Sequence, residues 1–569
     1  MLEILLVWFY ITVSFLLNGL LIQKILDRLF KDIAFRNNTH ILIKPILIGM
    51  VGVSLYAEFF SLFAGVNLLA NLILILETLL LAIILRKDLR DLFSLLRSRV
   101  GFAELALACV SICILALISA GTTNLGDAYE YHMQAIRWNI EYGMVPGEAQ
   151  VISRLGFNSS IHLLNALFGL EFMAGIPIHG VTGYYLLLLC LSSLDLLWHV
   201  FFGAEGRKLS FSSFFAFACL SYVFLGTAWI SSPITDIPCM SMVFLVILYW
   251  MQLLERDENR PYPYILLCML ALYASTIKFS SVIIFLLSLY PIYLLIKSGK
   301  IRQILYSAGV CIFIYLPFLI RNVVLTGWLL YPFQYLDFFS PDWKLSKEVL
   351  EFETFLVTDY GRNPLRLEYE VSWLQAWIPS LSLLKKIIIV CVLVFLLLEL
   401  GLLVLKIKEK LVRGRWLFFE AVMFIGLAFW FITAPDVRFG WPYLLFFLSF
   451  VPVNLGHYLR NKPDRFLRFM FRFSVLSGLG VLSLISLFYI YRSAKLVMDG
   501  IPANLVTETN YDESYRILGK GEGSTVKVGN TDFYITLWPG YTHFPSADKD
   551  DFIMRGESLR DGFRADDKD

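Results

Sequence analysis

The chain alternates long apolar runs with short polar segments. Each apolar run is roughly 17 to 25 residues long, the length at which a helix crosses about 30 Å of hydrocarbon. The sequence contains about fourteen such runs, and this pattern predicts an all-α polytopic membrane protein. The runs begin near residues 2, 43, 66, 102, 180, 210, 237, 262, 280, 303, 387, 416, 439 and 474.

Composition supports the same class. Of the 569 residues, 58% are hydrophobic and 17% are charged, and the mean hydropathy of +0.69 is far above that of an average soluble domain. The net charge of +2 gives no indication of a nucleic-acid partner. The eight cysteines lie inside or beside apolar runs without metal-ligand spacing, so neither disulfides nor zinc are expected. The first apolar run has no basic residues before it and no small-residue cleavage site, and is therefore predicted to be a retained span.

Basic residues indicate the orientation of the predicted spans. If every run crosses the membrane once, all the basic clusters fall on one side, and the positive-inside rule makes that side cytoplasmic. The opposite, outer side then holds the polar segments 121–178 and 321–384 and the C-terminal tail. The clusters are Lys24, Arg28, Lys31 and Arg36; Arg86, Lys87, Arg90, Arg97 and Arg99; Arg207 and Lys208; Arg256 and Arg260; Lys297, Lys300 and Arg302; Lys406, Lys408, Lys410, Arg413 and Arg415; Arg460, Lys462, Arg465, Arg468 and Arg472.

This topology predicts three parts along the chain. Residues 1–101 form N-terminal transmembrane helices, residues 102–492 form a transmembrane core with the two outer loops, and residues 493–569 form a small extracytoplasmic appendage. The appendage includes the strand-like stretch "STVKVGNTDFYITLWP" and is too short to build a large core.

The outer segment "GDAYEYHMQAIRWNIEYG", residues 126–143, places charged side chains beside a span. Asp127 occupies a helix N-cap position before apolar side chains at helical spacing, so one interpretation is a capping aspartate on an interfacial helix. The other interpretation is a general base at the lipid boundary. Glu130 and His132 are candidate polar contacts for a substrate.

The same three residues raise the question of a metal. Asp127, Glu130 and His132 carry ligand atoms for a divalent cation, but their spacing does not place all three on one helical face. No cofactor is therefore expected, and a divalent metal stays an open alternative.

The outer segment continues as "VPGEAQVISRLGFNSSIHLL", in which Pro146 and Gly147 break the first helix and a second begins after Asn158. Arg154, Asn158 and His162 are candidates to face a bound anion. An equally good explanation for Arg154 is that its side chain extends along the membrane surface to lipid head groups.

Further polar residues lie where later runs meet the outer side. Each has an ordinary explanation: an aspartate that opens a span is a good N-cap, and a lone arginine is a good interfacial anchor. Together with Asp127 and Arg154, however, they combine a base with several cations, and such a site stabilises the charge of a phosphate leaving group. These residues are Asp236 in "SSPITDIPCMSM", Lys278 in "ASTIKFSS", Arg321 and Asn322 in "FLIRNVVLTGWLLYPF", and Arg438 in "TAPDVRFGWPYL".

These motifs, taken in order, resemble the GT-C superfamily of polytopic glycosyltransferases, which includes protein O-mannosyltransferases and lipid A aminoarabinose transferases. Asp127 in "GDAYEYH" matches the aspartate of the family's first large outer loop, and the four later motifs are similar to family patterns over roughly residues 102 to 460. The protein mannosyltransferases have an Asp-Glu doublet at the position of Asp127. This chain departs from them because Ala128, and not a glutamate, follows Asp127. Three spans precede the match, and the tail is unlike the family.

The resemblance implies a GT-C-like bundle of about fourteen transmembrane helices with juxtamembrane helices in a large outer loop. It implies an inverting glycosyltransferase of the bacterial inner membrane, which moves a sugar from a polyprenyl-phosphate donor to a glycan, lipid or protein acceptor on the extracytoplasmic side. Asp127 would be the catalytic base. The alternatives are a transporter or flippase of lipid-linked glycan, or a glycan polymerase or ligase. The candidate substrate contacts are Glu130, His132, Arg154, Asn158, His162, Asp236, Lys278, Arg321, Asn322 and Arg438.

Overall fold

The computed structural model describes residues 1–31, 43–121, 123, 126–202, 210–362, 372–459, 465–504 and 523–566. Helices dominate these residues, and each of the apolar runs in the sequence coincides with a helix. This confirms the all-α polytopic class, and short strands occur in the C-terminal part. The helices of the first half are α1 Leu2–Leu29, α2 Ile43–Ser61, α3 Leu68–Ile84, α4 Arg86–Arg99, α5 Phe102–Ser119, α6 Met133–Glu141, α7 Ser160–Phe168, α8 Glu171–Ala174, α9 Val181–Phe202, α10 Phe211–Gly226, α11 Asp236–Glu255 and α12 Pro261–Ile277.

The second half continues the bundle and adds helices within segment 321–384. A 3-10 segment, Phe279–Ser288, leads into the next helix, and shorter helical turns lie at Ala128–His132, Glu148–Gln150 and Ser153–Gly156. The remaining helices are α13 Leu289–Lys297, α14 Ile301–Thr326, α15 Lys347–Arg362, α16 Trp373–Ser380, α17 Leu383–Lys408, α18 Gly414–Thr433, α19 Val437–Leu459 and α20 Arg465–Asn504.

Fewer helices have the length and composition of a membrane span than the sequence has apolar runs. In the described residues, 11 helices are long and apolar enough to cross a membrane, or up to 12 if α3 and α4, which bend by 75° at their junction, form one broken span. Helices α10 and α12 are apolar but only 16 and 17 residues long. An apolar run marks a buried or lipid-facing helix without fixing where that helix ends.

Burial separates central from peripheral helices. In α11 and α19 the most apolar windows are 89% buried, whereas in α5 the corresponding window is 22% buried and in α17 28%. The predicted N-terminal part packs directly on this bundle, because Trp8 Nε1 donates to the Gly180 carbonyl at 2.7 Å and Ser54 Oγ lies 2.6 Å from the Tyr273 hydroxyl. Helix α20 continues past residue 492, where the sequence analysis placed the end of the core.

The C-terminal appendage is a small β-structure. Strands β1 to β3 form a sheet with β1 and β2 antiparallel, Val526 opposite Phe533, and β3 parallel to β2; β4 and β5 pair antiparallel with Ile553 opposite Arg564. Its apolar side chains join a cluster with Trp138 and Val151 of the outer loop. The strands are β1 Ser524–Val528, β2 Thr531–Ile535, β3 Ser546–Ala547, β4 Phe552–Met554 and β5 Phe563–Ala565.

Candidate active site

A cavity of about 1210 Å³ opens where the outer segments meet the helix bundle. One end is polar, and most of the remaining wall is apolar, with Met240, Phe318, Phe429 and Tyr443 among the lining residues. The structure brings together most of the residues predicted from the sequence. Those that line the cavity are Asp127, Glu130, His132, Arg154, Asn158, His162, Lys278, Asn322 and Arg438.

Asp127 stands at the start of the outer helical segment. The turn that follows it, Ala128–His132, is π-helical. The Asp127 side chain makes no capping hydrogen bond to this turn. Its carboxylate Oδ2 instead accepts a hydrogen bond from Arg438 Nη1 at 3.2 Å, and the side chain remains 34% exposed. Wider π turns inside helices occur frequently at functional sites. The capping interpretation therefore does not describe this residue, whose carboxylate faces the cavity.

Arg438 gathers three carboxylates. Besides Asp127, its guanidinium lies 3.8 Å from Asp236 Oδ2 and 3.5 Å from Asp436 Oδ2. The guanidinium carbon also lies 5.0 Å from the ring centroid of Tyr360. Asp236 opens α11 and is not among the cavity-lining residues, so it lies behind the cation that it neutralises.

Lys278 occupies the break between α12 and the following 3-10 segment. Its ammonium donates a hydrogen bond to Asp236 Oδ1 and lies 3.9 Å from the ring centroid of Phe439. A cation in so apolar a turn requires a counter-ion, and Asp236 provides it from the neighbouring helix.

Arg154 is neutralised in the same way. Its Nη1 donates to Glu130 Oε2, and its Nε lies 3.9 Å from Glu353 Oε2. Burial opposes the charge, but these two carboxylates raise the pKa of the Arg154 guanidinium above its usual value. Ser153 Oγ donates to Glu353 Oε1 at 2.5 Å, which fixes that carboxylate beside Arg154.

Arg321 lies behind the cavity wall, because it is 2% exposed and is not among the residues that line the cavity. Its guanidinium donates to Asn158 Oδ1 at 3.1 Å, to Ser61 Oγ at 2.7 Å and to Asn139 Oδ1 at 2.8 Å. Burial raises the pKa of the nearby Glu148 carboxyl to about 8, while Arg321 acts in the opposite direction. Arg321 therefore links α2, α6 and the outer loop, and supports Asn158 from behind.

The Asn158 side chain transmits this support to the cavity. Its Nδ2 donates to the Phe318 carbonyl at 3.1 Å and to Asn322 Oδ1 at 3.1 Å, while Asn322 Nδ2 donates to the Leu329 carbonyl at 3.0 Å. Both asparagines line the cavity with polar atoms already engaged in this network.

His132 and His162 form a buried pair. His132 Nδ1 lies 2.8 Å from His162 Nε2. Burial lowers the pKa of His132 to about 3, and burial together with the neighbouring imidazole holds the pKa of His162 well below its usual value. Both rings are therefore neutral at pH 7, and they offer the cavity a hydrogen-bonding pair and no positive charge.

Asp127, Glu130 and His132 do not form a metal-binding group in the described part of the chain. There, the one cluster with three ligand atoms within 4.8 Å of one another is Glu104, Asp195 and His199, in helices α5 and α9, and none of these three lines the cavity.

Several lining residues were missed by the sequence analysis. Seven of them come from α15 in the second outer loop, including Asp359, Tyr360 and Arg362, and Tyr331 comes from the loop before it. The helix has an amphipathic sequence, "KEVLEFETFLVTDYGR", with Leu350 and Glu353 on its buried side, and that pattern was the available signal. Four tryptophans near the outer loops are not among the residues that line the cavity: Trp138, Trp328, Trp373 and Trp377.

The C-terminal appendage forms hydrogen bonds with the helical segment that follows Asp127. Gly540 N donates to the Tyr129 carbonyl at 2.9 Å, and Gln134 Nε2 donates to the carbonyls of Gly540 at 2.9 Å and His543 at 2.8 Å. Arg137 Nη1 donates to the Tyr541 carbonyl at 2.8 Å. The outer loop and the appendage therefore lie on the same side of the bundle.

Comparisons with known proteins show the family of the chain but indicate no activity. No curated protein and no solved structure matches the chain. One family model matches residues 1–445, a range that contains every cavity-lining residue and excludes the appendage. The chain therefore belongs to the family described as a domain of unknown function (DUF8201).

Proposed function

We propose that this multi-pass membrane protein is a glycosyltransferase that uses a polyprenyl-phosphate-linked sugar. The observation that carries the proposal is a cavity with an accessible carboxylate, Asp127, at its polar end and a largely apolar wall elsewhere. A lipid-linked sugar has the same division, with a polar head and a long hydrocarbon chain. The resemblance to the GT-C superfamily supports the same reaction class.

The apolar wall continues onto the surface that faces lipid. Phe279, Val357 and Ile432 line the cavity and are 37%, 43% and 62% exposed. Exposed apolar side chains at the rim suit a hydrocarbon chain that enters from the bilayer, because no polar barrier must be crossed.

In the proposed reaction, Asp127 accepts the proton of an acceptor hydroxyl. The acceptor oxygen attacks the anomeric carbon from the face opposite the phosphate, a new C–O bond forms, and the bond from that carbon to the phosphate oxygen breaks. The phosphate leaves with the electron pair, and the configuration is inverted. Arg438 holds the Asp127 carboxylate in place, and the Arg154–Glu130 pair closes the other side of the polar end.

The test compares sugar transfer by the wild-type protein and by Asp127→Asn, with a panel of polyprenyl-phosphate sugars and membrane glycolipid acceptors. We expect the substitution to lower the transfer rate by about 10² to 10⁴, the contribution of a positioned general base. Asp91→Asn, an exposed carboxylate on α4, serves as the control and should leave the rate unchanged. Undiminished transfer by Asp127→Asn would exclude the base assignment.

A second candidate, a transporter of lipid-linked glycan, is favoured by one observation. Glu399 and Glu420 are 2% and 6% exposed inside α17 and α18, and Glu399 Oε1 accepts a hydrogen bond from Asn454 Nδ2 at 2.5 Å. Buried ionisable residues within spans commonly mark transport pathways. The test measures movement of a fluorescent lipid-linked glycan across the membrane of vesicles that contain the protein. Movement that is lost in Glu399→Gln and retained in Asp127→Asn would favour this candidate over the transferase.

A further inference from the structure

The cations at the polar end of the cavity are already neutralised. Arg438, Lys278 and Arg154 each face at least one carboxylate within 4 Å. These three cations share five carboxylates, so a phosphate placed among them would meet an excess of negative charge. The carboxylates are Asp127, Glu130, Asp236, Glu353 and Asp436.

Arg362 differs from the other cavity cations. It is the last residue of α15 and lines the cavity, and no carboxylate of the described residues lies within ion-pair distance of it. Its Nη2 donates to the Ile432 carbonyl, and its guanidinium carbon lies 5.1 Å from the Trp373 ring centroid. Its Nε is buried without a hydrogen-bond partner in the same part of the chain. Arg438 Nε is likewise buried without a hydrogen bond, but it lies 3.5 Å from Asp436 Oδ2, whereas no ion pair faces Arg362 in the described residues.

A buried N–H donor without an acceptor is unfavourable, and a ligand that supplies an oxygen removes that cost. The carbonyl and the indole ring hold the guanidinium plane in a fixed orientation. A planar guanidinium with free N–H groups matches the oxygens of a phosphate in a way that an ammonium does not.

The position of Arg362 also fits the head group of a lipid. The residue beside it across the cavity rim, Ile432, is 62% exposed, and Val357, one turn and a half earlier in α15, is 43% exposed. A phosphate bound at Arg362 would therefore lie at the edge of the cavity, with its hydrocarbon chain directed toward the bilayer.

We infer that Arg362 binds the phosphate group of a polyprenyl phosphate, and that the paired cations Arg154, Lys278 and Arg438 position the carboxylates of the site. The inference rests on the substrate class of the proposed function, and it is independent of whether sugar transfer or transport follows binding.

The test is equilibrium binding of a polyprenyl monophosphate to the purified full-length protein in detergent, followed by native mass spectrometry. We expect Arg362→Gln to weaken binding about 10- to 100-fold, the effect of losing hydrogen bonds to a charged group, and Arg362→Lys to weaken it about tenfold because the charge remains and the planar fork is lost. Arg302→Gln is the matched control, since Arg302 also stacks on an aromatic ring, Tyr306, but is not among the residues that line the cavity.

Two further ligands identify what Arg362 recognises. Polyprenol, which lacks the phosphate, should bind weakly and equally to the wild-type protein and Arg362→Gln. Inorganic phosphate should compete only at much higher concentration, because it lacks the chain. Equal affinity of the wild type and Arg362→Gln for polyprenyl phosphate, or equal affinity of the wild type for polyprenol and polyprenyl phosphate, would overturn the inference.

Failure of the proposed reaction gives a different result. Asp127→Asn should lose sugar transfer, while its binding of polyprenyl phosphate should still be weakened by the added substitution Arg362→Gln. If binding depends on Arg362 but no donor sugar is ever transferred, the phosphate site stands and the transferase proposal falls. A melting temperature for Arg362→Lys equal to that of the wild type shows that its weaker binding is not a folding defect.

Discussion

Three cations of the cavity are stabilised by ion pairs with residues from other elements. Arg438, Lys278 and Arg154 each lie in or beside apolar surroundings, and each is accompanied by carboxylates from other elements. Removing one partner of such a pair leaves an uncompensated charge, which is costly where water is scarce. The charge of the whole site, and not any one residue, therefore determines which ligand it accepts.

Asp548 of the appendage provides a pH-dependent prediction. Its backbone N–H donates to the Val151 carbonyl at 3.3 Å, while its side-chain Oδ1 is buried and has no hydrogen-bond partner in the described residues. Burial raises the pKa of this carboxyl from 3.8 to about 6, with Lys549 acting in the opposite direction and Glu353 adding to the rise. The folded state therefore favours the protonated Asp548 carboxyl. The contribution of this carboxyl to the free energy of unfolding is fully present below pH 4 and is lost as the pH rises through about 6.

We therefore expect Asp548→Asn to be more stable than the wild type above pH 6, by about 3 kcal/mol at most, and equal to it near pH 4. Thermal unfolding midpoints of both proteins between pH 4 and pH 8 check this. Asp550→Asn, an exposed neighbour, is the control and should follow the wild type. Parallel pH profiles for Asp548→Asn and the wild type would contradict the prediction.

At the scale of helices, close backbone contact holds the first two spans together. A Cβ on Gly19 would lie 1.7 Å from the Pro45 carbonyl oxygen, and a Cβ on Gly49 would lie 1.7 Å from the Phe15 carbonyl oxygen. Small residues allow membrane helices to approach this closely. The contact matters for the site because α2 ends at Ser61, which accepts the hydrogen bond from Arg321.

We expect Gly49→Ala to force α1 and α2 apart and to destabilise the protein by about 1 to 3 kcal/mol, although alanine favours helix formation. Gly309→Ala in α14 is the matched control, because no atom lies within 4 Å of its Cβ position. The measurement is the thermal unfolding midpoint of each variant in detergent. Equal midpoints for Gly49→Ala and the wild type would show that the crossing tolerates a methyl group.

Helices differ in how well the sequence predicts them. Apolar runs located the long apolar helices, because a long run of apolar side chains has no other stable form in lipid. The same signal did not show that α10 and α12 are only 16 and 17 residues long. Helix α15 was not predicted, since its amphipathic pattern lies in a polar loop, yet it supplies Arg362 to the cavity.

At the scale of the whole molecule, the outer loop and the C-terminal appendage form one unit on the bundle. The backbone of Gly540 contacts that of Tyr129, and Phe563 N donates to the Pro146 carbonyl at 2.9 Å. Gly147 adopts a φ of +67°, and a Cβ there would lie 2.1 Å from the Phe563 carbonyl oxygen. The appendage therefore requires glycine at the break between the two outer helices.

This arrangement gives a prediction about sidedness. In a cysteine-free background, Asp550→Cys on the exposed surface of the appendage should react with a membrane-impermeant maleimide in intact cells. Lys410→Cys, at an exposed position that the basic clusters assign to the cytoplasm, should react only after permeabilisation. The reverse labelling pattern would place the cavity on the cytoplasmic side and would exclude an extracytoplasmic reaction.

The apolar runs alone establish a helical membrane protein, because hydrocarbon admits only long apolar segments with satisfied backbone groups. The sequence also identified Asp127, Arg154, Lys278 and Arg438 as misplaced charges, since such residues are rare beside apolar runs. Which of these charges meet became clear from the packing of the helices. Arg438 reaches Asp127 across 311 residues, and Arg321 lies behind the wall although its sequence context resembles that of the others. Sequence position gives the depth of a charge along its own helix, whereas its partners depend on how that helix is rotated and packed against the rest of the bundle.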